Sequence, residues 1–343
     1  MVHTSATYSE VKQLLSDAKL LDRDRVKLSA SNKSDLINVN LSDAVKNGVI
    51  PKHKVAALVQ NAEENGKQHV FYFKAKSRTV ANKYSKTSTI GKQLFTKKEL
   101  ASFPLFVEMP REYKWIDFRT QETGNLSNDV VWMAKAAGVE QVEVTLDSNQ
   151  RIDSTRFAIV KQLEDARVVL VALLRSSGLL EIRVSQVDVG GDKFIQIYDH
   201  FIAMLGDAID MDDFEYLDFD VVRKNLFNRR VRNAKLYELG NARLRDLANG
   251  SAQIVTSGRG DRLSNEPIRI EAVKSYLKEG RVLDSLVVFF LKNSKINGLE
   301  EKDVRIVVGP RRSTAERNEV FVSAQATRAT MDYVTAQLIK FSK

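Results

Sequence analysis

Residues 167–186 read RVVLVALLRSSGLLEIRVSQ, in which two apolar runs flank a polar Arg-Ser-Ser-Gly segment. In the second run, Leu180, Ile182 and Val184 alternate with charged or polar residues, which is typical of a strand with one buried face. We interpret the segment as a β-hairpin whose first strand is the more deeply buried. A helix that ends at the glycine is an open alternative, because a short apolar run does not separate a buried strand from a buried helix.

Around this hairpin, the apolar spacing predicts helices and strands in no regular alternation. Helices are predicted over residues 128–137, 194–209, 221–232 and 270–279 and near the C-terminus, and strands over residues 70–73, 103–107, 115–118, 139–146, 252–256, 282–291, 304–308 and 319–324. Regular alternation is typical of a doubly wound parallel sheet, and its absence favours a mostly antiparallel arrangement. The predicted fold class is therefore α+β.

The first 66 residues differ from the rest of the chain because their apolar spacing is helical throughout. Gly48, Pro51 and Gly66 separate three short predicted helices, since glycine suits a helix end and proline suits a first turn. The sequence thus predicts a small N-terminal helical bundle followed by a mostly antiparallel mixed α/β body. We expect three domains: a helical domain (1–66), a β-rich central domain with a basic loop at 77–98 (67–206), and a C-terminal α+β domain (207–343).

The composition is that of a soluble globular protein, with 43% apolar and 28% charged residues among 343 and no cysteine. The lack of cysteine excludes disulfides, thiolate zinc sites, iron–sulfur clusters and cysteine nucleophiles, and it fits a reducing compartment. Residues 1–10 lack the hydrophobic core of a signal peptide. The longest apolar run, 168–174, is much shorter than a membrane-spanning helix. We therefore expect a cytoplasmic protein with no membrane partner.

The excess positive charge of the chain is concentrated in residues 67–98, a segment that we call the basic window. The chain has 53 basic and 44 acidic residues; the basic window holds nine of the basic residues and no acidic one, so the remainder of the chain is balanced. A concentrated positive field of this kind is typical of proteins that bind polyanions. The basic residues of the window are Lys67, Lys74, Lys76, Arg78, Lys83, Lys86, Lys92, Lys97 and Lys98.

Aromatic residues are interleaved with these lysines, and one of them, Tyr84, is a candidate for stacking on unpaired bases. Lysines are mobile point charges that neutralise phosphates without reading the base sequence. The competing interpretation is that the aromatic side chains face the core and that the lysines are solvated or protect a sheet edge. We predict that the basic window contacts nucleic acid.

Two further groups of arginines are candidate phosphate ligands. Arg229, Arg230 and Arg232 follow an acidic stretch at 207–220, and they are too closely spaced to lie on one face of the predicted helix. Carboxylates near the start of that helix and arginines near its end also suit its macrodipole, so capping and mutual pairing are an alternative explanation. The second group lies in a predicted turn after a strand and consists of Arg311 and Arg312.

No sequence motif indicates catalysis, a cofactor or a metal ion. The four histidines are not paired at metal-ligand spacing, and no phosphate-cradling glycine loop or nucleophile motif is present. The carboxylates at 210–215 are hard oxygen ligands, but their spacing does not match a calcium loop. We therefore predict no catalytic residue, no cofactor and no metal ligand, although the sequence does not decide whether a weak metal site exists at 210–215.

These observations predict a non-enzymatic nucleic-acid-binding protein that contacts mainly the phosphate backbone, with DNA favoured over RNA. A protein-interaction or scaffold subunit, whose lysines would bind an acidic protein surface, is the alternative. A metal-dependent nuclease that uses carboxylates from 210–220 or 140–147 is the second alternative. The prediction depends on one premise, namely that the carboxylates of 207–220 do not neutralise the basic window in the folded chain. The sequence does not predict the oligomeric state.

Overall fold

The computed structural model places helices and strands in two separate units of the chain. The N/C unit comprises Met1–Val70, Leu217–Arg311 and Arg317–Lys343, and the central unit comprises Phe71–Tyr216 and Arg312–Glu316. The division into three domains that the sequence predicts stays a prediction. The structure describes residues 6, 8–22, 24–107, 109–123, 126–145, 150–151, 157–158, 161–187, 189–246, 250–256, 262–296, 299, 303–309, 319–323 and 326–343.

Helices and strands follow one another irregularly along the chain. The helices are α1 (Tyr8–Leu21), α2 (Lys33–Asp35), α3 (Ser42–Lys46), α4 (Lys52–Asn65), α5 (Arg78–Tyr84), α6 (Thr87–Leu94), α7 (Lys97–Ser102), α8 (Gly191–Leu205), α9 (Phe219–Asn228), α10 (Pro267–Lys278) and α11 (Arg328–Phe341). The strands are β1 (Gln68–Ala75), β2 (Lys114–Thr120), β3 (Val130–Thr145), β4 (Gln150–Arg151), β5 (Phe157–Ala158), β6 (Lys161–Arg175), β7 (Leu179–Ser185), β8 (Phe214–Tyr216), β9 (Tyr237–Arg245), β10 (Ser251–Ile254), β11 (Val282–Phe290), β12 (Val304–Val308) and β13 (Val320–Val322).

The strand pairs confirm the predicted α+β class. Each pair with an assigned register is antiparallel. Within the part of the chain that the structure describes, no helix is both long and apolar enough to cross a lipid bilayer.

The N-terminal helices pack around a hydrophobic cluster of their own within the N/C unit. Helix α1 contributes Val11, Leu15 and Ala18, whose spacing of three and four residues puts them on one helix face. Asn32 caps α2, since its side chain accepts a hydrogen bond from the backbone N–H of Asp35 (2.8 Å). A π-helical segment, Leu36–Leu41, follows directly and leads into α3. The N-terminal helical bundle predicted from the sequence is confirmed.

In the N/C unit, the sheet has the strand order β10-β9-β11-β12-β13, and the first residues of β1 pair with β13. Tyr237 of β9 meets Phe341 of α11 edge to face, with ring centroids 5.5 Å apart. The Tyr237 hydroxyl donates a hydrogen bond to the carbonyl oxygen of Leu226 in α9 (2.6 Å). Helices α9 and α11 therefore pack on this sheet.

In the central unit, the strand order is β1-β7-β6-β3-β2, and β8 pairs with the end of β1. Trp132, Ala134 and Ala136 of β3 lie in the main core with residues of β6, β7 and helix α8. Because successive strand residues point to opposite faces, residues 132–138 of β3 and 168–175 of β6 are buried on both sides. The second face carries a smaller apolar cluster of Val130, Met133, Val169, Val171 and Leu173.

Residues 167–186 fold as the predicted hairpin. Strand β6 pairs with β7 in a register that runs from Leu170 opposite Val184 to Leu174 opposite Leu180. Gly178 lies in the turn with φ +79°, a left-handed conformation that glycine adopts without steric cost. The alternative of a helix that ends at this glycine is wrong.

Two predictions upstream of the hairpin are wrong. Residues 128–137 form no helix, and most of them belong to β3. The period-two pattern of β3 is hidden in the sequence because a strand that is buried on both faces reads as a continuous apolar run. Residues 103–107 form no strand, although the Leu105 N–H donates a hydrogen bond to the carbonyl oxygen of Ile116 in β2 (2.7 Å).

The predicted basic loop at 77–98 is also wrong, because this segment forms α5, α6 and the start of α7. Ser77 caps α5 by accepting a hydrogen bond from the Val80 N–H (3.2 Å). A capping box begins α7. Three large apolar side chains of the segment, Tyr84, Ile90 and Phe95, are buried, and Val80 and Leu94 are partly buried against the same core. Caps and anchored side chains therefore order a segment whose polar composition predicts a loop.

Candidate nucleic-acid interface

The basic window is divided between the two units. Lys67 belongs to the N/C unit, whereas the other eight basic residues belong to the central unit, on β1, α5, α6, α7 and the turns between them. All nine side chains are exposed. They differ in what surrounds them, and this difference decides which of them present positive charge.

Tyr84 is buried and does not belong to an exposed interface. Its side chain is 1% exposed, and its ring centroid lies 5.2 Å from that of Phe214. Its carbonyl oxygen accepts a hydrogen bond from Trp132 Nε1 (2.9 Å). A ring that protein atoms cover in this way leaves no face for a base. The prediction that Tyr84 stacks on a base is therefore corrected, and its role is to anchor α5 to the core.

The beginning of the acidic stretch 207–220, which follows α8 and which we call the acidic segment, contacts Lys83 and Tyr84 of α5. Lys83 Nζ lies 2.8 Å from Asp213 Oδ2, and the Tyr84 hydroxyl donates a hydrogen bond to the same oxygen (2.6 Å). The backbone N–H of Asp210 donates in turn to the Tyr84 hydroxyl oxygen (3.0 Å). These contacts place carboxylates of the 207–220 stretch directly beside the basic window.

The charge states of these groups follow from the same contacts. The hydrogen bond with Asp213 raises the pKa of Lys83, and the hydrogen bond from Lys83 lowers the pKa of Asp213. Burial is the main cause that raises the pKa of Tyr84. At neutral pH the arrangement is therefore an ion pair next to a neutral phenol, and the positive charge of Lys83 is compensated.

Two more lysines of the basic window face this acidic segment. Lys76 Nζ donates a hydrogen bond to the backbone carbonyl oxygen of Asp212 (2.6 Å). Lys74 of β1 lies opposite Glu215 of β8 in the antiparallel register, where opposite charges attract. The premise that carboxylates of 207–220 leave the window unneutralised is therefore wrong for Lys83, which pairs with Asp213, and Lys76 binds the same acidic segment through a backbone oxygen.

Five basic residues of the central unit lie outside this arrangement, on α5, α6, α7 and the turn before α6. In the part of the chain that the structure describes, no carboxylate oxygen lies within 4.0 Å of their charged nitrogens. The acidic residue on α7, Glu99, turns back to accept hydrogen bonds from the N–H and the hydroxyl of Thr96 (both 2.7 Å). We call these five residues the basic surface: Arg78, Lys86, Lys92, Lys97 and Lys98.

Arg229, Arg230 and Arg232 lie in the turns after α9 and not around a helix. Helix α9 ends at Asn228, so the prediction that it extends to residue 232 with the arginines fanned around it is wrong. The Arg230 guanidinium lies over the ring of Phe227, 4.4 Å from the centroid, and donates to the Phe227 carbonyl oxygen (2.6 Å). Burial lowers the pKa of Arg230. Arg230 thus has an intramolecular role in closing the end of α9.

The carboxylates that precede α9 cap the helix, as the alternative explanation predicts. The Asp218 side chain accepts hydrogen bonds from the N–H groups of Asp220 (2.9 Å) and Val221 (3.1 Å). Asp220 forms an ion pair with Arg223 one turn later. These carboxylates therefore stabilise the start of the helix.

The two remaining candidate phosphate ligands, Arg311 and Arg312, lie outside the described residues.

A cleft of about 180 Å³ lies beside the basic surface, between α5, α6 and the chain that follows α8. Thr89 and Gln93 line it from α6, and Asp207 and Asp210 line it from the segment after α8. The two carboxylates make this cleft unfavourable for a phosphate group. The favourable approach for a polyanion is therefore over α6 and α7, away from the cleft.

Among the described residues, no three His, Asp or Glu side chains are grouped so that they could hold a metal ion. His69 is buried, with Nδ1 3.1 Å from Glu319 Oε2. The ring of His200 lies 5.2 Å from that of Tyr113. His69 is therefore part of the packing of its unit, His200 is exposed beside Tyr113, and His3 lies outside the described residues.

The sequence matches no protein-family model, and no curated protein matches it. The function is therefore inferred from the residues themselves.

Proposed function

We propose that the protein binds nucleic acid through the basic surface, mainly by contacts to phosphates and without catalysing a reaction. The observation that supports this proposal most is that five exposed cations, on three consecutive short helices and a turn between them, have no carboxylate partner among the described residues. Positive charge that the protein does not neutralise itself attracts polyanions and displaces their counterions.

The composition of the basic surface determines what kind of recognition it supports. Four of its five residues are lysines, which approach phosphates as point charges and do not read base edges. Little sequence preference is therefore expected. Duplex DNA is the favoured ligand, because its high density of phosphates gives more counterion release per contact than a single strand. The proposal includes the cytoplasmic location that the cysteine-free sequence predicts.

The acidic segment restricts how the ligand lies on the surface. Lys83 is already paired with Asp213, and Asp207 and Asp210 line the neighbouring cleft. A phosphate backbone that crossed this edge would meet carboxylates. We therefore assign the contacts to the five residues of the basic surface and exclude Lys74, Lys76 and Lys83, which face the acidic segment.

Binding to duplex DNA should weaken steeply as salt is added. If each residue of the basic surface neutralises one phosphate, log K falls against log[salt] with a slope of about −4.5 for duplex DNA and about −3.5 for a single strand. Fluorescence anisotropy of a short labelled duplex, titrated at several salt concentrations, measures this slope.

Two results would contradict the proposal: no binding at low salt, or an affinity that does not change with salt. Co-purification of an acidic protein in fixed stoichiometry, without absorbance from nucleic acid, would instead support a protein-interaction subunit.

A further inference from the structure

Strands β3 and β6 extend beyond their neighbours in the central unit as a two-stranded ribbon. Strand β2 pairs with β3 only as far as Ala137, and β7 pairs with β6 only from Leu170 onward. Among the described residues, 138–145 and 161–168 therefore pair with each other alone. At about 3.4 Å per residue, this ribbon is roughly 25 Å long.

The outer edge of β6 in this ribbon faces solvent. Residues 161–165 are all exposed, and the side chain of Leu163 is 64% exposed. A two-stranded ribbon is marginally stable in water, and a bare strand edge is a template for another strand. The leucine in the middle of this edge offers an apolar side chain to a strand that pairs there.

The backbone groups on this edge belong to the odd-numbered residues. The Val169 N–H donates to Ser185 Oγ on the β7 side (2.9 Å), and the β3–β6 register is continuous from residue 161 to residue 174. Because backbone groups alternate between the two sides of a strand, Lys161, Leu163 and Asp165 present their N–H and C=O groups away from β3. Their side chains also share one face of the ribbon.

We propose that this edge pairs antiparallel with the same edge of a second copy of the chain, around a twofold axis at Leu163. In this register, Leu163 lies opposite Leu163 of the second copy, and Lys161 lies opposite Asp165 of the second copy. Apolar side chains meet at the axis and opposite charges flank it, so the surface is complementary to itself. Each of these residue pairs exchanges two backbone hydrogen bonds.

The charges favour this register over those with an axis at Glu164 or Asp165. An axis at Glu164 would set two glutamates face to face and Lys161 opposite Arg167, and an axis at Asp165 would set two aspartates face to face. Like charges directly opposite each other destabilise a strand pair. Lys161 is held at the ribbon by Glu143, whose Oε2 lies 2.7 Å from Lys161 Nζ.

The chain has no cysteine, so a single introduced thiol reports this contact without interference. Directly opposed residues have Cα atoms about 5.5 Å apart, within the range that a disulfide spans. Leu163→Cys is therefore expected to form a covalent dimer on mild oxidation. Gln162→Cys is the matched control, because in this register its two copies lie roughly 8 Å apart and point to the other face.

The outcome of the oxidation decides the proposal. At equal protein concentration, Leu163→Cys should give at least about tenfold more disulfide-linked dimer than Gln162→Cys, as the two distances require. Equal yields from the two variants, or no dimer from either, would overturn it.

A measurement of mass on the cysteine-free chain gives a second test. Light scattering should give twice the 38.7 kDa of one chain for the wild type, and Asp165→Lys should shift the mass towards one chain because lysine would then face Lys161. Glu164 lies opposite the neutral Gln162 of the second copy, so Glu164→Lys should leave the dimer intact. A monomeric wild type, or equal effects of the two variants, would overturn the proposal.

Discussion

Glu181→Gln is expected to lower the free energy of unfolding of the central unit by about 3–5 kcal/mol. Glu181 is 0% exposed, and its carboxylate binds Arg175 and also Arg183, whose nitrogen lies 2.6 Å away. A neutral amide compensates the two buried guanidinium groups less well than a carboxylate does, although Arg175 keeps its ion pair with Asp129 (2.6 Å), and weaker compensation of buried charge is costly. Urea denaturation followed by tryptophan fluorescence measures the change, because both tryptophans, Trp115 and Trp132, lie in the central unit.

Glu143→Gln is the matched control for this prediction. It makes the same chemical change in an ion pair whose partners, Glu143 and Lys161, are both more than half exposed. Exposed pairs contribute about 0–1 kcal/mol, so this variant should unfold almost like the wild type. Equal effects of the two substitutions would show that the buried carboxylate does not stabilise the unit as we infer.

The acid dependence of unfolding is a second readout of the same substitution. Burial by itself would raise the pKa of Glu181, but the attraction and hydrogen bonds of Arg175 and Arg183 outweigh it and hold the pKa below its usual range. Because the folded-state pKa is depressed, the stabilisation is present at neutral pH and is lost as the pH falls through that depressed value. Glu181→Gln should remove this part of the acid dependence.

Reversal of three charges on the basic surface is expected to have the largest effect on function. The variant Lys86→Glu, Lys92→Glu, Lys97→Glu should bind duplex DNA at least about 100-fold more weakly at 0.1 M salt, because each lost phosphate contact removes close to one decade of affinity at that concentration. The slope of log K against log[salt] should shrink from about −4.5 to about −2. The anisotropy titration used for the wild type measures both quantities.

The control for this variant makes the same number of charge reversals in the N/C unit. Lys27→Glu, Lys52→Glu, Lys54→Glu changes three exposed lysines outside the basic window and gives the same net charge. If binding depended on net charge alone, both triple variants would lose affinity equally, and the basic surface would not be the binding site. Retained affinity in this control together with a large loss in the first variant is the expected pattern.

Local patterns in the sequence predicted most of the fold. The hairpin at 167–186, the helix that became α8 and the strand 304–308 follow from apolar periodicity and turn residues, which act within a few positions along the chain. Apolar periodicity does not predict strand β9. Its register against β11 shifts between Leu286 and Val288, so the adjacent residues Leu239 and Gly240 are both buried. The alternation of more and less buried residues that is typical of a strand is therefore interrupted. The polar composition of segment 77–98 wrongly predicts a loop, because helix caps and a few buried side chains are enough to order it.

The candidate site was less predictable, because it depends on contacts between distant parts of the chain. Lys83 and Asp213 are 130 residues apart in sequence, and no local pattern indicates that they form an ion pair. The charge count identified the basic window, but only the fold shows which of its residues are compensated. The burial of Tyr84 has the same origin, since Phe214 and Trp132 cover it from other elements.

Lysine footprinting tests the central claim, that the basic surface contacts nucleic acid, most directly. The protein is acetylated with and without saturating duplex DNA at low salt, and the modification of each lysine is compared by mass spectrometry. Lys86, Lys92, Lys97 and Lys98 should be protected by DNA, whereas exposed lysines of the N/C unit such as Lys27 should react equally in both samples. Equal reactivity of the four lysines with and without bound DNA would contradict the claim.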